Sequence, residues 1–278
     1  MTVDRSVRDA RHTRAQLDSL SDSLTRVAGL QDRVELRADL PGEGWQRCSD
    51  LLTQPGRIGE WCLALSDWLR EQYGEAPPRT AASYVMSWYL RVPAYAGALL
   101  LHHERRVPSL RPEELGFRIS ADGRPDPTGI AVLGTSFYCL PLDPAAGRPE
   151  ATVVADERAL AAVLRARYTA HAARFVRTYG RMSPLGNRVL WAGATDALDA
   201  CLWWAGLDGG DEGAGVADAA LVLESRFTPL TSASTLRMEP GADGRRLWCR
   251  RRESCCFSYL LPGQTECAEC PRLGRSRT

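Results

Sequence analysis

The sequence predicts an α+β fold that is mostly helical, with a small antiparallel sheet and a cysteine-rich segment at the C-terminus. Apolar residues recur at helical spacing, short extended stretches lie near the middle, and five of the nine cysteines fall between Cys249 and Cys270. The 278 residues, 44% of them hydrophobic, are enough to bury a substantial core. We expect a helical α+β domain over residues 1–240 and the cysteine segment over residues 241–278.

Three helices are predicted in the first part of the chain. One apolar face contains Leu17, Leu20, Leu24 and Val27, and another contains Ile58, Cys62, Leu65 and Leu69. Thr80 is the expected N-cap of a third helix through the apolar residues 81–101. Because this stretch contains Arg91 and Pro93, we interpret it as a buried helix that kinks or restarts at the proline, and not as a membrane span.

The predicted sheet lies in the middle of the chain. Its strands are Val107-Pro108, Phe117-Arg118-Ile119 and Ile130 to Leu140, with the turn residues Asp122-Gly123 between the last two. Two long helices should follow, one from Asp156-Glu157 to Tyr179 and one starting at Ser183-Pro184. We expect Gly206 to Gly215 to be a loop, Ala217 to Phe227 a shorter helix, and Thr235–Met238 and Arg246–Cys249 to be extended.

The net charge and the N-terminal residues bear on whether the protein binds nucleic acid and whether it is secreted. A formal net charge of +1 gives no overall attraction to nucleic acid, and we find no recognition helix on a basic face. Residues 1–20 contain many charges and no apolar run that could be a signal peptide. We therefore expect a cytoplasmic protein, whose cysteines are free thiols or metal ligands.

The spacing of the last cysteines predicts a metal site. Cys255 and Cys256 are followed by Cys267 and Cys270 in the pattern C-C-x10-C-x2-C. Vicinal cysteines can bind one tetrahedral ion only if the backbone turns between them, whereas a [2Fe-2S] cluster divides four thiolates between two irons. The pattern favours the cluster over structural zinc, which more often uses paired C-x2-C knuckles. The third alternative is a redox disulfide or unliganded thiols. Cys249 is interpreted as a buried or spare thiol.

The residues from Arg251 to Pro271 also resemble a known family. The cysteine pattern, its basic lead-in and the intervening Tyr259-Leu260-Leu261-Pro262-Gly263 are similar to the C-terminal [2Fe-2S] segment of FhuF-type ferric siderophore reductases. Weaker similarity extends over residues 80 to 273. The resemblance implies that Cys255, Cys256, Cys267 and Cys270 bind a [2Fe-2S] cluster, and that residues 1–240 bind the substrate.

The same resemblance implies an oxidoreductase that passes one electron to the Fe(III) of a siderophore, releasing Fe(II). No glycine turn for a bound nicotinamide or flavin is evident, since Gly213-Ala214-Gly215 lacks the last glycine of the fingerprint. The electron should therefore come from an external ferredoxin or flavoprotein reductase. The alternative is a binding or regulatory protein, without reductase activity, in which the cysteines hold zinc or an iron-sulfur cluster.

Five arginines, at positions 245, 246, 250, 251 and 252, lie beside the cysteines. They could dock an acidic donor, contact an anionic siderophore or stabilise the extra negative charge of the reduced cluster, and the alternative is a solvated strand face in an arginine-rich chain. We expect His102-His103 to be structural or on the surface and His171 to be a hydrogen-bonded core residue. The three tryptophans at positions 191, 203 and 204 are assigned to the core, with an aromatic wall beside a bulky chelate as the alternative.

Overall fold

The computed structural model describes residues 19–241 and 244–273, and helices are its main elements. The helices are α1 (Leu20–Ala28), α2 (Cys48–Thr53), α3 (Pro55–Tyr73), α4 (Pro78–Glu104), α5 (Glu157–Tyr179), α6 (Asn187–Asp208) and α7 (Glu212–Val222). The predicted apolar face of α1 is buried at Leu20, Leu24 and Val27, while Leu17 lies outside the described residues. The α+β fold class is confirmed.

Helices α4 and α6 form the centre of the molecule. Most residues of both helices are buried, and they pack against each other along their length. α4 continues through Pro93 without restarting, and Thr80 is not its N-cap, because the helix already begins at Pro78 with Pro77 as the cap. Among the described residues, no helix combines the length and apolar character that crossing a membrane requires.

The described residues contain nine short strands in three sheets. They are β1 (Glu35–Arg37), β2 (Trp45–Arg47), β3 (Arg106–Pro108), β4 (Leu115–Ile119), β5 (Pro127–Val132), β6 (Phe137–Cys139), β7 (Ala151–Val153), β8 (Arg237–Pro240) and β9 (Arg246–Cys249). The strand orders are β1-β5-β4-β2, β3-β6-β7 and β8-β9. Since β1 pairs parallel to β5 and β6 pairs parallel to β7, the prediction of one purely antiparallel sheet was wrong.

The stretch from Ile130 to Leu140 is not a single strand. β5 pairs with β4 in one sheet and β6 pairs with β3 in another, and the chain passes between the sheets at residues 133–136. Within that passage, a Cβ on Gly134 would come within 3.3 Å of the Glu114 side chain. The apolar pattern correctly indicated buried residues, but it could not show that they belong to two strands in different sheets.

Several predicted helix boundaries also differ from the structure, and the helix predicted from Ala217 to Phe227 instead runs from Glu212 to Val222. The amide of Ser183 donates to the Tyr179 carbonyl, so Ser183 belongs to the turn that ends α5, and α6 begins at Asn187. Gly206 is not in a loop, because α6 continues to Asp208. A Cβ on Gly206 would lie 2.5 Å from the Cα of Gly215, so these two glycines let α6 and α7 approach closely.

Residues outside the cysteine segment agree with most of the predicted structural roles. His171 is buried, its Nε2 is 2.9 Å from the Tyr89 hydroxyl and its Nδ1 is 2.7 Å from the Leu110 carbonyl oxygen. Cys201 is buried in α6, which raises the pKa of its thiol to about 12. Cys62 is only partly buried, with its Sγ 3.5 Å from the Tyr179 hydroxyl. The imidazole of His102 contacts the Asp218 carboxylate at 2.6 Å.

Candidate iron-sulfur site

The cysteine segment, residues 250–273, follows β9 and contains one single-turn 3-10 helix, Ser258–Leu260, among turns. Phe257 lies in the left-handed region with φ 57°, so the backbone turns immediately after the vicinal cysteines. This turn lets the Phe257 amide donate to the Cys255 Sγ at 3.4 Å.

A second turn returns the chain toward the vicinal pair. Pro262 and Gly263 occupy its centre, Gly263 has φ 74°, and the Gln264 amide donates to the Leu261 carbonyl at 3.0 Å. Proline followed by a glycine of positive φ is the pattern of a type II turn. A tight turn at the C-x2-C pair follows, where the Cys270 amide donates to the Cys267 carbonyl at 2.9 Å.

The two turns bring the four cysteines together as two pairs. The Sγ atoms of Cys256 and Cys267 are 4.0 Å apart, close to the separation of about 3.8 Å that metal-sulfur bonds of about 2.3 Å give at one tetrahedral ion. Cys255 interacts with Cys270: burial raises the pKa of the Cys255 thiol, and Cys270 raises it further. In the described residues, no three His, Cys, Asp or Glu side chains form a ready single-ion site. Two thiol pairs fit the ligand demand of a [2Fe-2S] cluster, which takes two thiolates on each iron.

The two sulfurs of the closer pair have different electrostatic surroundings. Burial opposes ionisation of Cys256, but the hydroxyl and amide of Ser258 and the charge of Arg252 outweigh it, so the pKa of Cys256 is lowered. The Sγ of Cys256 is 2.9 Å from the Ser258 hydroxyl. Burial and the neighbouring Cys256 raise the pKa of Cys267 to about 11. Cys256 is thus the thiol most ready to ionise in this pair.

Asp196 of α6 positions the start of the cysteine segment. Its carboxylate accepts the amides of Glu253 and Ser254, both at 2.8 Å, and the Ser254 hydroxyl at 2.5 Å. Asp196 is buried, and its Oδ2 is 3.7 Å from the Arg252 Nε. One signal in the sequence could have indicated this role, namely an acidic residue within a largely apolar helical stretch.

Three hydroxyl groups on one face of α4 contact Cys255 and the two residues that follow the vicinal pair. The Ser83 hydroxyl donates to the Cys255 carbonyl at 3.0 Å, and the Thr80 hydroxyl donates to the Phe257 carbonyl at 2.9 Å. The Tyr84 hydroxyl is 2.9 Å from that of Ser258. Spaced at i, i+3 and i+4, these residues share one side of the helix. No pattern in the sequence indicated that these three residues belong to the site.

The five arginines beside the cysteines divide into two groups. Arg250 is buried and donates to the Asp196 carbonyl and to the Glu269 carboxylate, both at 2.6 Å. Arg252 also lies inward, near Asp196 and the cysteine thiols. The other three, Arg245, Arg246 and Arg251, are exposed. Cys249, on β9, is partly buried.

Comparison with known proteins agrees with this geometry. Residues 252–272 match the family model described as the FhuF 2Fe-2S C-terminal domain, and all four cysteines of the two pairs lie within the match. A search of curated proteins found no match. The resemblance predicted for the cysteine segment is confirmed, and the cofactor of this domain is a [2Fe-2S] cluster.

Proposed function

Because the chain ends in an FhuF-type [2Fe-2S] domain, we propose that it is a cytoplasmic ferric-siderophore reductase. The observation that carries the proposal is the family match over residues 252–272, together with the two sulfur pairs that those residues form. The proposed cluster ligands are Cys255, Cys256, Cys267 and Cys270. Cys249, on β9, is not a proposed ligand.

The reaction is the transfer of one electron to chelated Fe(III). Hard oxygen ligands bind Fe(III) more tightly than Fe(II), so reduction loosens the iron and leaves the chelator intact. When bound, the cluster supplies this electron, and a ferredoxin or a flavoprotein reductase restores it. Iron is reduced from Fe(III) to Fe(II) while the donor is oxidised by one electron.

The chain's own residues would hold the thiolates and tune their electron density. The Phe257 amide and the Ser258 hydroxyl contact the sulfurs of Cys255 and Cys256, and such hydrogen bonds stabilise thiolate charge. Arg252 adds a positive charge beside Cys256. A neighbouring positive charge favours the more negative, reduced state.

The exposed arginines form the proposed docking surface for the donor. Arg245, Arg246 and Arg251 are exposed near the cysteine segment, and Arg250 and Arg252 lie inward. Opposite charges on two proteins accelerate their encounter, and salt weakens this effect. The rate with a protein donor should therefore fall as salt rises, and the rate with a small uncharged reductant should not.

Metal analysis and the visible spectrum test the cofactor in this chain. Anaerobically purified protein should be red-brown, with iron and inorganic sulfide in equal amounts. Cys255→Ser and Cys267→Ser should abolish the visible bands, whereas the matched variant Cys249→Ser should retain them. A colourless protein that contains zinc would contradict the cluster, and a colourless Cys249→Ser protein would contradict the ligand set.

The reductase activity needs its own measurement. Reduced protein, mixed anaerobically with a ferric siderophore and an Fe(II) indicator, should recover its oxidised spectrum as the indicator develops colour. Cys249→Ser should behave as the unmodified chain does. A reduced cluster that ferric siderophores do not reoxidise would overturn the proposed activity while leaving the cofactor assignment intact.

A further inference from the structure

Two cavities meet beside the proposed cluster. The cluster-side cavity, about 350 Å³, is lined by Cys256, Cys267 and Arg252 among others. The distal cavity, about 330 Å³, is lined by Arg33 and Trp204 among others. Three residues line both cavities, namely Trp88, Arg91 and Arg124. Each volume lies in the range of small-molecule sites, about 300–1,000 Å³.

Four arginines line these cavities together with two acidic residues, Asp126 and Glu269, and most of the positive charge is already paired. Arg33 contacts Asp208 at 2.8 Å, and Arg124 contacts Asp126 at 2.7 Å. Arg252 lies 3.7 Å from Asp196. Each of these guanidinium groups thus has a carboxylate of this chain beside it.

Arg91, at the junction of the two cavities, is different. It is partly buried, and within residues 19–241 and 244–273 it has neither a hydrogen bond nor an ion pair. Its guanidinium carbon lies 4.9 Å from the centre of the Trp204 ring. Burial lowers the pKa of Arg91 to about 10, so the group is still charged at neutral pH. A desolvated guanidinium with all its donors available is a strong site for an anion.

Aromatic rings supply the remaining surface. Trp204 lies beneath both Arg91 and Arg33, whose guanidinium carbon is 5.0 Å from the ring centre. Trp88 faces both cavities, and Tyr84 and Tyr95 line one cavity each. Flat rings next to cationic groups suit planar, negatively charged ligand arms.

From these contacts we propose that the two cavities form one groove that binds a net-anionic Fe(III) chelate, with Arg91 as its anion anchor. The identity of the metal rests on the proposed reductase function. A chelate held by Arg91 would share the cluster-side cavity with the sulfurs of Cys256 and Cys267. A neutral or cationic chelate leaves the Arg91 charge unpaired and binds more weakly.

Redox-inert Ga(III) chelates test the groove without requiring any electron transfer. The cluster-loaded protein would be titrated in a calorimeter with the trianionic Ga(III) complex of a hexadentate tris-catecholate and with the neutral Ga(III) complex of a cyclic trihydroxamate. We expect the anionic complex to bind tighter by about tenfold or more, with an advantage that shrinks as salt rises. Equal affinities would overturn the proposal, and this result needs no variant.

Variants then locate the site. Arg91→Gln should weaken the anionic complex by about tenfold or more and leave the neutral complex unchanged, and Arg91→Lys should recover part of the loss. Arg188→Gln, which removes an exposed arginine of α6 outside both cavities, should change neither affinity. The far-ultraviolet and cluster spectra check that each variant is folded and loaded. A folded Arg91→Gln protein with unchanged affinity would overturn the site.

The result separates this proposal from the proposed activity. Charge-selective Ga(III) binding without reduction of the Fe(III) complexes would retain the groove and overturn the reductase. Reduction of ferric chelates without any charge preference in Ga(III) binding would retain the reductase and overturn the groove.

Discussion

The helical body and the cysteine segment are held in place by different kinds of contact. In the body, α4 and α6 bury most of their length against each other, and α5 adds Phe175 and Tyr179 to the same core. Buried apolar surface contributes about 25 cal/mol per Å², and it depends little on the orientation of any one group. The body therefore has enough contacts to define its fold without the cluster.

The cysteine segment has few apolar contacts with that core. Leu261 is buried and Phe257 packs against the core, while the remaining attachment to the body is mostly polar. The backbone around the vicinal cysteines is held by single hydrogen bonds: Ser83 donates to the Cys255 carbonyl, Thr80 donates to the Phe257 carbonyl, and the Asp196 carboxylate accepts the Ser254 amide. Each such bond contributes about 1 kcal/mol, so the segment depends on several weak contacts and on its metal.

The largest expected effect is a loss of stability of the helical body at acidic pH. His171 is buried, which lowers its pKa from 6.5 to about 4. Between about pH 6.5 and pH 4, the unfolded chain therefore binds a proton at His171 and the folded chain does not. The stability that neutral His171 contributes is complete above pH 6.5 and is lost as the pH falls to about 4. The loss is about 3 kcal/mol.

Urea unfolding of the cluster-free chain, followed by far-ultraviolet circular dichroism, measures this loss. Replacing His171 with glutamine should make the free energy of unfolding less dependent on pH across that window. Parallel pH curves for the two proteins would contradict the assignment. If the cluster-free chain shows no cooperative unfolding transition, the helical body needs the metal to fold. That result would contradict this difference between the helical body and the cysteine segment.

A smaller effect, confined to the segment, is expected from Asp196→Asn. The substitution removes a charged acceptor of three hydrogen bonds and leaves Arg252 without its nearby carboxylate. We expect the segment to be destabilised by about 1–3 kcal/mol, and the visible bands to decay faster in the presence of an iron chelator.

The matched control for Asp196→Asn is Asp199→Asn, one turn along the same helix. Asp199 accepts hydrogen bonds from Ser234 and Thr235, which precede β8, and not from the cysteine segment. Its decay rate should stay close to that of the unmodified chain. Equal decay in both variants would mean that Asp196 acts through the general stability of α6 and not through the cysteine backbone.

The same contrast explains which features the sequence could predict. The cysteine spacing is local, and the apolar faces of α1 and α5 follow from periodicity, so both could be recognised in a single stretch of chain. Asp196 and Ser254 are 58 positions apart, and no periodic pattern links them. In the sequence, Arg91 indicated only that residues 81–101 do not span a membrane. Its position between the two cavities could not be predicted, because it depends on how α4 packs against β5 and α6.

The smallest expected effect tests a single hydrogen bond between the two regions. Ser83→Ala removes the donor to the Cys255 carbonyl and leaves α4 with a good helix former. The loss of about 1 kcal/mol should speed cluster decay by about fivefold, with little change in the unfolding of the body. Ser87→Ala is the matched control: Ser87 lies one turn along α4 and lines the cluster-side cavity, but no hydrogen bond joins it to the described cysteine segment. If both alanine variants lose the cluster at the same rate, the Ser83 hydroxyl does not position the vicinal pair.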